Sequence, residues 1–188
     1  MKEATNNTHN GDQTSKRIAI VRIAFGLVWL ADASLKFEPA FFRGIFNIVK
    51  AADSDSPSWL NWWFHSWFRV IGAYPHLFAA LIMISESLLA LMLLAGVARK
   101  VTYIGGAILS FLLWAVGEGF GGPYVAGSTD IGAGIVYVLA FILLLSTDTS
   151  KAPALSLEPT LRRLLRRRSA DGTLYNHKPL KTIEQSGK

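Results

Sequence analysis

The sequence predicts an all-α integral membrane protein, a four-helix bundle with an interfacial aromatic helix between spans one and two. Three observations support this fold class. The chain of 188 residues is 51% hydrophobic and only 17% charged, which is too apolar for an ordinary soluble protein. Four long apolar segments recur along the chain. A tryptophan-rich stretch, unlike a flexible linker, separates the first two of these segments.

The chain divides into three predicted regions. Residues 1–15 are polar and rich in Asn and Thr, and we expect them to form a disordered N-terminal tail. Residues 16–147 form the four-span membrane domain, and residues 148–188 form a basic cytoplasmic amphipathic helix and tail. Because no small-residue cleavage site follows the first apolar segment at the right distance, that segment is predicted to be a retained span rather than a signal peptide.

The first span carries three ionisable side chains on one helical face. At about 100° of rotation per residue, Arg22, Asp32 and Lys36 lie within about 80° of one another. A charge at the bilayer centre costs roughly 2.5–3.5 kcal/mol, so this face must be buried against other helices. Asp32 and Lys36 are spaced for a local i,i+4 ion pair. Arg22 is about 15 Å from Asp32 along the axis and needs an anion from another span.

The connection over residues 40–76 is predicted to contain an amphipathic helix at the membrane–water interface. Trp59, Trp63 and Trp67 recur every four residues beside a polar stripe that includes His65. Tryptophan-rich segments of this kind prefer the interface. We interpret the tryptophans as interfacial anchors, with the alternative that some of them line a pocket.

Spans two, three and four are predicted at about residues 76–97, 101–117 and 131–145. Small residues in span three favour close helix packing. The connection between spans three and four is rich in glycine, so it must turn tightly or approach another group closely.

Basic residues predict a cell-membrane protein with both termini in the cytoplasm. Lys16 and Arg17, Arg99 and Lys100, and the basic cluster over residues 162–168 fall on one side of four spans. The glycine-rich connection on the other side contains no Lys or Arg, as the positive-inside rule requires. We expect the basic cluster to lie on anionic inner-leaflet lipids, at about 1 kcal/mol per basic residue.

Glu86 is the strongest single candidate for function, because a carboxylate in mid-span cannot stay ionised without a partner. Its predicted partner is Arg22, since antiparallel spans leave a gap that two long side chains can bridge. Two interpretations stay open. Glu86 either forms a structural contact, as an ion pair or a neutral group bonded to its neighbouring serines, or takes part in ligand binding or proton exchange.

A second group of polar residues is predicted to gather towards the outer end of the bundle. Its members are Asp32, Lys36, His65, Glu118 and Asp130. Carboxylates, an amine and an imidazole beside aromatic walls can hold a polar head group or relay protons to a quinone. The structural alternative is that Asp32 pairs with Lys36, Asp130 caps span four and His65 faces water.

Composition excludes several kinds of chemistry for the chain alone. The sequence has no cysteine, which removes thiol–disulfide chemistry and thiolate-bound metals and clusters. None of the four histidines lies in the interior of a predicted span, His76 being at the start of span two, and no pair of candidate ligands shows metal-site spacing. The sequence therefore predicts no metal and no intrinsic cofactor. A redox function would use membrane quinone and a borrowed electron carrier, and no nucleic-acid partner is expected.

These residues resemble the DoxX-like family of membrane proteins, and within it the DoxD-like small subunits associated with thiosulfate:quinone oxidoreductase. The resemblance covers about residues 16–147. It is carried by Arg22, Gly26, Trp29 and Lys36 in span one, by Glu86 and the leucine-rich run to Gly96 in span two, and by Gly-Phe120-Gly-Gly before Asp130-Ile-Gly132. It implies a four-helix membrane protein that in some members accompanies a second subunit in quinone-linked sulfur oxidation.

The resulting hypothesis is a membrane subunit of a quinone-linked oxidoreductase, similar to thiosulfate:quinone oxidoreductase. The candidate catalytic residues are Glu86, Asp32 and Glu118, and the candidate substrate- or quinone-binding residues are Arg22, Lys36, His65, Trp29 and Asp130. Expected partners are the lipid bilayer, anionic inner-leaflet lipids, and a second membrane subunit or another copy of the chain. The alternative is a non-enzymatic membrane anchor or assembly subunit of another complex. A transporter is a third interpretation, for which no internal repeat gives support.

Overall fold

The computed structural model describes residues 2–54, 57–122, 130–148, 154–160 and 163, with side chains from residue 13 onward. The regular structure in these residues is entirely helical, which confirms the predicted all-α class for this part of the chain. The α-helices described are α1 Lys2–Leu35, α2 Pro39–Ser54, α3 Asn61–Ala73, α4 Pro75–Ala95, α5 Arg99–Leu112 and α6 Ala133–Thr147.

Three helical segments are long and apolar enough to cross a membrane: Gln13–Leu35, Pro75–Ala95 and Arg99–Gly117. Their mean hydropathies are 1.8, 2.4 and 1.5, and only 28%, 28% and 33% of their apolar windows are buried inside the protein. Large exposed apolar faces on helices of this length are typical of contact with lipid. The chain is therefore a membrane protein.

Helix α6 is also apolar, but with 15 residues it is shorter than each of the three membrane segments. At 1.5 Å per residue it spans about 22 Å, against about 30 Å for the hydrocarbon core of a bilayer. It packs along α5. Gly106 permits this contact, because a Cβ atom at that position would overlap the ring of Phe141.

Gly106→Ala is expected to destabilise the protein by about 1–3 kcal/mol, because the added methyl group overpacks the contact with Phe141. Gly105→Ala is the matched control on the same helix. Nothing lies within 4 Å of an added Cβ at Gly105, and alanine is favoured over glycine there by up to about 1 kcal/mol. Unfolding in mixed detergent micelles measures both free energies. Equal effects of the two substitutions would contradict close packing of α5 on α6.

Helices α1 and α4 form an extensive antiparallel pair, and Gly26 fixes its register. An added Cβ at Gly26 would lie only 3.0–3.1 Å from side-chain atoms of Leu93 and Leu94, so the two helices are in close contact at this level. Because the helices are antiparallel, residues after Gly26 on α1 lie level with residues before Leu93 on α4. Lys36 therefore comes level with Glu86. Residues before Gly26 on α1 lie level with the C-terminal end of α4.

An aromatic cluster fills the space where α1 meets α6. Trp29 and Phe141 are fully buried, and Phe25 and Tyr137 pack against them. Ring centroids in this cluster are 4.9–6.3 Å apart, a range in which each aromatic pair contributes about 0.5–1.5 kcal/mol beyond its buried area. The indole Nε1 of Trp29 is buried without a hydrogen-bond partner.

The connection between the first two membrane segments contains two helices, α2 and α3, rather than the one aromatic helix predicted. They pack on each other and on α4. A short 3-10 turn at Ser58–Leu60 precedes α3, and this change of helical pitch divides the predicted tryptophan stripe. Trp63 and Trp67 pack inwards, whereas Trp59 is 72% exposed.

The predicted N-terminal region differs from the structure. Helix α1 begins at Lys2, so residues 2–15 are helical rather than disordered, since extending an existing helix needs no new nucleation. The end of the membrane domain at residue 147 stays a prediction, whereas the first compact unit is Met1–Ser156. It extends that far because the Ala154 amide donates to Ser15 Oγ and the Ser156 hydroxyl donates to the Gly96 carbonyl.

The second compact unit is Leu157–Lys188. Its described residues are 157–160 and 163, and residues 158–160 are helical. Most of the predicted basic amphipathic helix and tail therefore lies outside the described residues.

Candidate functional site

The Glu86 carboxylate is buried between α1 and α4. Neither of its oxygens takes part in a hydrogen bond. Lys36 lies within ion-pair distance, with its Nζ 3.7 Å from Glu86 Oε2. The same ammonium donates a hydrogen bond of 3.0 Å to Asp32 Oδ1. One lysine is therefore shared between a buried and a more accessible carboxylate, and we call Asp32, Lys36 and Glu86 the charged triad.

Exposure increases in steps along the charged triad. The side chain of Glu86 is 1% exposed, that of Lys36 is 20% exposed and that of Asp32 is 36% exposed. The ring of Phe41 lies 5.4 Å from Lys36 Nζ, close enough for a cation–π interaction. The triad thus forms a polar connection between a carboxyl group buried among membrane helices and the surface near the end of α1.

The local pairing of Asp32 with Lys36 that the sequence predicted is present, but the predicted partner of Glu86 is wrong. The predicted partner was Arg22, whereas the structure pairs Glu86 with Lys36. The reason is the register of α1 on α4. The close contact at Gly26 places Arg22 beside Gly96, where an added Cβ would overlap Arg22 Nη1.

Arg22 lies in a different polar cluster, at the other end of the α1–α4 interface. Its Nη2 donates to the Leu155 carbonyl at 2.7 Å. Close by, Arg99 Nη1 pairs with Asp148 Oδ1, and the Tyr103 hydroxyl donates to Asp148 Oδ2 at 2.7 Å. Arg22 therefore helps to organise the helix ends and does not belong to the charged triad.

The cluster of Arg99, Tyr103 and Asp148 was not predicted, although the sequence contains a signal for it. Arg99 begins α5 and Asp148 follows α6 directly, so antiparallel packing brings them to the same end. A carboxylate at the C-terminal end of a helix is unfavourable because the helix dipole is negative there. An aspartate in that position therefore indicates a neighbouring cation.

Glu118 is positioned by the first turn of α6 rather than by the charged triad. Its Oε1 and Oε2 accept hydrogen bonds from the Gly134 amide at 3.2 and 3.1 Å. Asp130 Oδ1 accepts from the Gly132 amide at 3.0 Å, just before the helix. The sequence offered Asp130 as the cap of the fourth span. In the structure, Glu118 is the side chain that accepts from an amide in the first turn of α6.

Glu118→Ala is expected to destabilise the protein by about 1 kcal/mol, because the first turn of α6 loses its capping acceptor. Glu118→Gln keeps a side-chain oxygen and should retain most of that stability. Detergent unfolding of both variants measures the difference. A loss in Glu118→Gln as large as in Glu118→Ala would contradict the capping role.

A short aromatic turn holds Glu118 in place. The π-helical turn Leu113–Gly117 ends the α5 segment, and Trp114 Nε1 donates to the Ile131 carbonyl at 2.7 Å. Phe120 adopts a left-handed backbone with φ of 56° and packs against Trp63 and Trp114. Left-handed non-glycine residues persist only where surrounding contacts hold them.

His65 does not join the other candidate residues. It is exposed, its Nδ1 lies 3.8 Å from Asp53 Oδ2, and its ring stacks on Phe68. Within the described part of the chain, no three His, Asp or Glu side chains converge as metal ligands. Instead of one outer cluster, the structure forms the charged triad, the Glu118 and Asp130 contacts before α6, and a separate His65.

Tyr137 connects the first two of these groups. Its ring packs on Trp29, with centroids 5.6 Å apart, and its hydroxyl is within electrostatic range of Asp32, Lys36 and Glu118. Tyr137 therefore lies near residues of both groups.

Comparison of the chain with protein-family models, with curated proteins and with solved structures finds no match. The observation of most chemical consequence is the buried Glu86 carboxyl and its polar connection to the surface.

Proposed function

We propose that this chain is the membrane subunit of a quinone-linked oxidoreductase, of the DoxX-like type that its residues resemble. In this proposal the charged triad exchanges the protons that accompany quinone reduction or quinol oxidation. One observation supports it above the others. Glu86 is fully buried with neither oxygen in a hydrogen bond, yet Lys36 links it to the accessible Asp32.

The roles of the three residues follow from their exposure. Reduction of a quinone to a quinol takes up two electrons and two protons. Asp32 exchanges protons with water, the Lys36 ammonium bridges the two carboxyl groups, and Glu86 presents a proton on the buried side. The electrons must come from a separate reductant or carrier subunit, because the chain has no cysteine with which to hold a thiolate-bound redox centre. Thiosulfate is the reductant that the resemblance suggests.

Trp29 offers a second group suited to a quinone ring. Its buried Nε1 has no hydrogen-bond partner, although buried polar groups are rarely left unpaired. Trp29 and Lys36 share one face of α1, about 10 Å apart along the axis. A quinone carbonyl oxygen can accept from the Trp29 indole N–H only when the aromatic cluster that fills this space moves aside.

The same proposal includes a membrane arrangement. Helix α6 is the fourth span, supported by Leu139 and Leu143, which are 60% and 61% exposed. Helices α2 and α3 lie at the membrane interface, with Trp59 and Trp62 exposed as anchors. The basic residues place both termini in the cytoplasm of a cell-membrane protein, and a second membrane subunit or another copy of the chain completes the enzyme.

Glu86→Gln is expected to lower quinone-linked turnover at least about a hundredfold, because amide nitrogen and oxygen cannot exchange the proton that a carboxyl can. The assay is thiosulfate-dependent reduction of a short-chain quinone in membranes that contain equal amounts of the protein. Glu38→Gln is the matched control, since Glu38 is an exposed carboxylate in the turn after α1. It should leave the rate unchanged.

Full activity in Glu86→Gln would remove Glu86 from any proton path. Absence of thiosulfate-dependent quinone reduction in the wild type would instead favour the non-enzymatic alternative, in which the bundle anchors or assembles another membrane complex.

A further inference from the structure

The buried guanidinium of Arg22 has hydrogen-bonding capacity that the protein does not use. The residue is 2% exposed, and Nη2 donates to the Leu155 carbonyl. Its Nε and Nη1 have no hydrogen-bond partner. Guanidinium groups hold five N–H donors in a planar fork that matches the oxygens of a phosphate or carboxylate.

Arg22 also lacks a carboxylate of its own among the described residues. Asp148 acts on Arg22 electrostatically, but Arg99 and the Tyr103 hydroxyl already bind it. No described carboxylate lies within 4.0 Å of Arg22. A buried guanidinium without a carboxylate partner is costly unless an anion joins it.

A small cavity opens beside this charge. Its volume is about 10 Å³, and Ser15, Arg22, Arg99 and Asp148 contribute to its wall. That volume holds about one water molecule. The present cavity is thus too small for a phosphate group, and a larger ligand requires one wall to move.

The wall that can move is the segment Ala154–Ser156, which we call the strap. Three hydrogen bonds attach it to the helices: Ala154 N to Ser15 Oγ at 3.2 Å, Arg22 Nη2 to Leu155 O at 2.7 Å, and Ser156 Oγ to Gly96 O at 2.7 Å. Leu155 has a left-handed backbone with φ of 51°, and its side chain is 62% exposed. The strap is therefore strained and has no apolar anchor at its centre.

We propose that Arg22, assisted by Arg99, binds the phosphate group of an anionic phospholipid when the strap opens. In the closed form the Leu155 carbonyl oxygen occupies the position of one phosphate oxygen. The location suits a lipid head group, because Gly96 and Arg99 lie where one membrane segment ends and the next begins. Basic pockets between membrane helices at that level bind anionic head groups, and arginine binds phosphate through paired hydrogen bonds.

The test is native mass spectrometry of the full chain, purified in mild detergent and titrated with phosphatidylglycerol. Phosphatidylcholine is the lipid control. Arg22→Gln is expected to weaken phosphatidylglycerol binding about tenfold or more, the loss that corresponds to one charge-assisted hydrogen bond. Arg69→Gln, which changes an exposed arginine on α3, should bind like the wild type. Equal binding by Arg22→Gln and the wild type would overturn the proposal.

A second variant keeps the proposal testable if Arg22→Gln does not fold. Ser15→Ala combined with Ser156→Ala removes two strap hydrogen bonds and leaves Arg22 intact. Each lost bond should favour the open form, so phosphatidylglycerol should bind about two- to tenfold more tightly per bond. Unchanged affinity would contradict a strap that covers the site.

A competition experiment determines whether the ligand of this site is the lipid or free phosphate. Inorganic phosphate is added to the wild-type complex with phosphatidylglycerol at matched concentration. Retention of the lipid supports the phospholipid head group as the ligand. Displacement of the lipid by inorganic phosphate would overturn the lipid assignment and identify a site for free phosphate.

Discussion

Lys36→Met is expected to destabilise the folded protein by about 3–5 kcal/mol, which is the usual loss when one partner of a buried ion pair is removed. Glu86 is 0% exposed, and neither of its oxygens accepts a hydrogen bond. Lys36 is the cation within ion-pair distance of it, at 3.7 Å. Methionine matches the length of the lysine stem but leaves the buried carboxylate without compensation.

The measurement is unfolding of purified variants in mixed detergent micelles. Lys50→Met is the matched control, because Lys50 is an exposed lysine on α2, and it should change stability by about 0.5 kcal/mol or less. The double variant Lys36→Met with Glu86→Gln should recover much of the loss, since it removes both charges together. Equal stability of Lys36→Met and Lys50→Met would show that Lys36 does not compensate Glu86.

Asp148→Asn is expected to have the second large effect, again about 3–5 kcal/mol of destabilisation. The side chains of Asp148 and Arg99 are 5% and 16% exposed, and the Tyr103 hydroxyl also donates to Asp148. The amide removes the negative charge that faces Arg99 and, at longer range, Arg22. Arg99 then loses the carboxylate that pairs with it, and Arg22 loses a favourable electrostatic interaction.

The control for this change is Asp53→Asn. Asp53 has a side chain that is 26% exposed and faces the exposed His65 at 3.8 Å, so its loss should cost about 1 kcal/mol or less. Both variants are compared by the same detergent unfolding. Adding Arg99→Met to Asp148→Asn should restore part of the stability. A double variant whose loss equals the sum of the two single losses would contradict direct coupling.

Much of the fold was predictable because hydropathy and helical spacing are local properties. The membrane segments follow from uninterrupted apolar runs, and the Asp32–Lys36 pair follows from their spacing on one helix. These predictions need no knowledge of how one helix packs on another.

The partner of Glu86 was not predictable in the same way. Counting depth from the membrane surfaces placed Arg22 within reach, but the register is decided by close packing of Gly26 against Leu93 and Leu94. A shift of a few residues between two helices changes which charged groups meet. Hydropathy gives the depth of a residue only approximately, so it cannot resolve such a shift.

The contacts at the helix ends were even harder to predict from the sequence. The strap bonds to the helices partly through backbone groups, such as the Leu155 carbonyl, and backbone groups leave no pattern in the sequence. Glu118 reaches the amide of Gly134 from a turn 16 residues earlier in the chain. Neither contact could be inferred before the path of the connecting segments was known.

Infrared difference spectroscopy tests the proposed role of the charged triad most directly. The protein in proteoliposomes with a membrane quinone is compared before and after electrochemical reduction of the quinone. A carboxyl band that appears or shifts in the wild type, is absent in Glu86→Gln and persists in Glu38→Gln would support proton exchange at Glu86. A carboxyl difference spectrum that is identical in the wild type and in Glu86→Gln would contradict it.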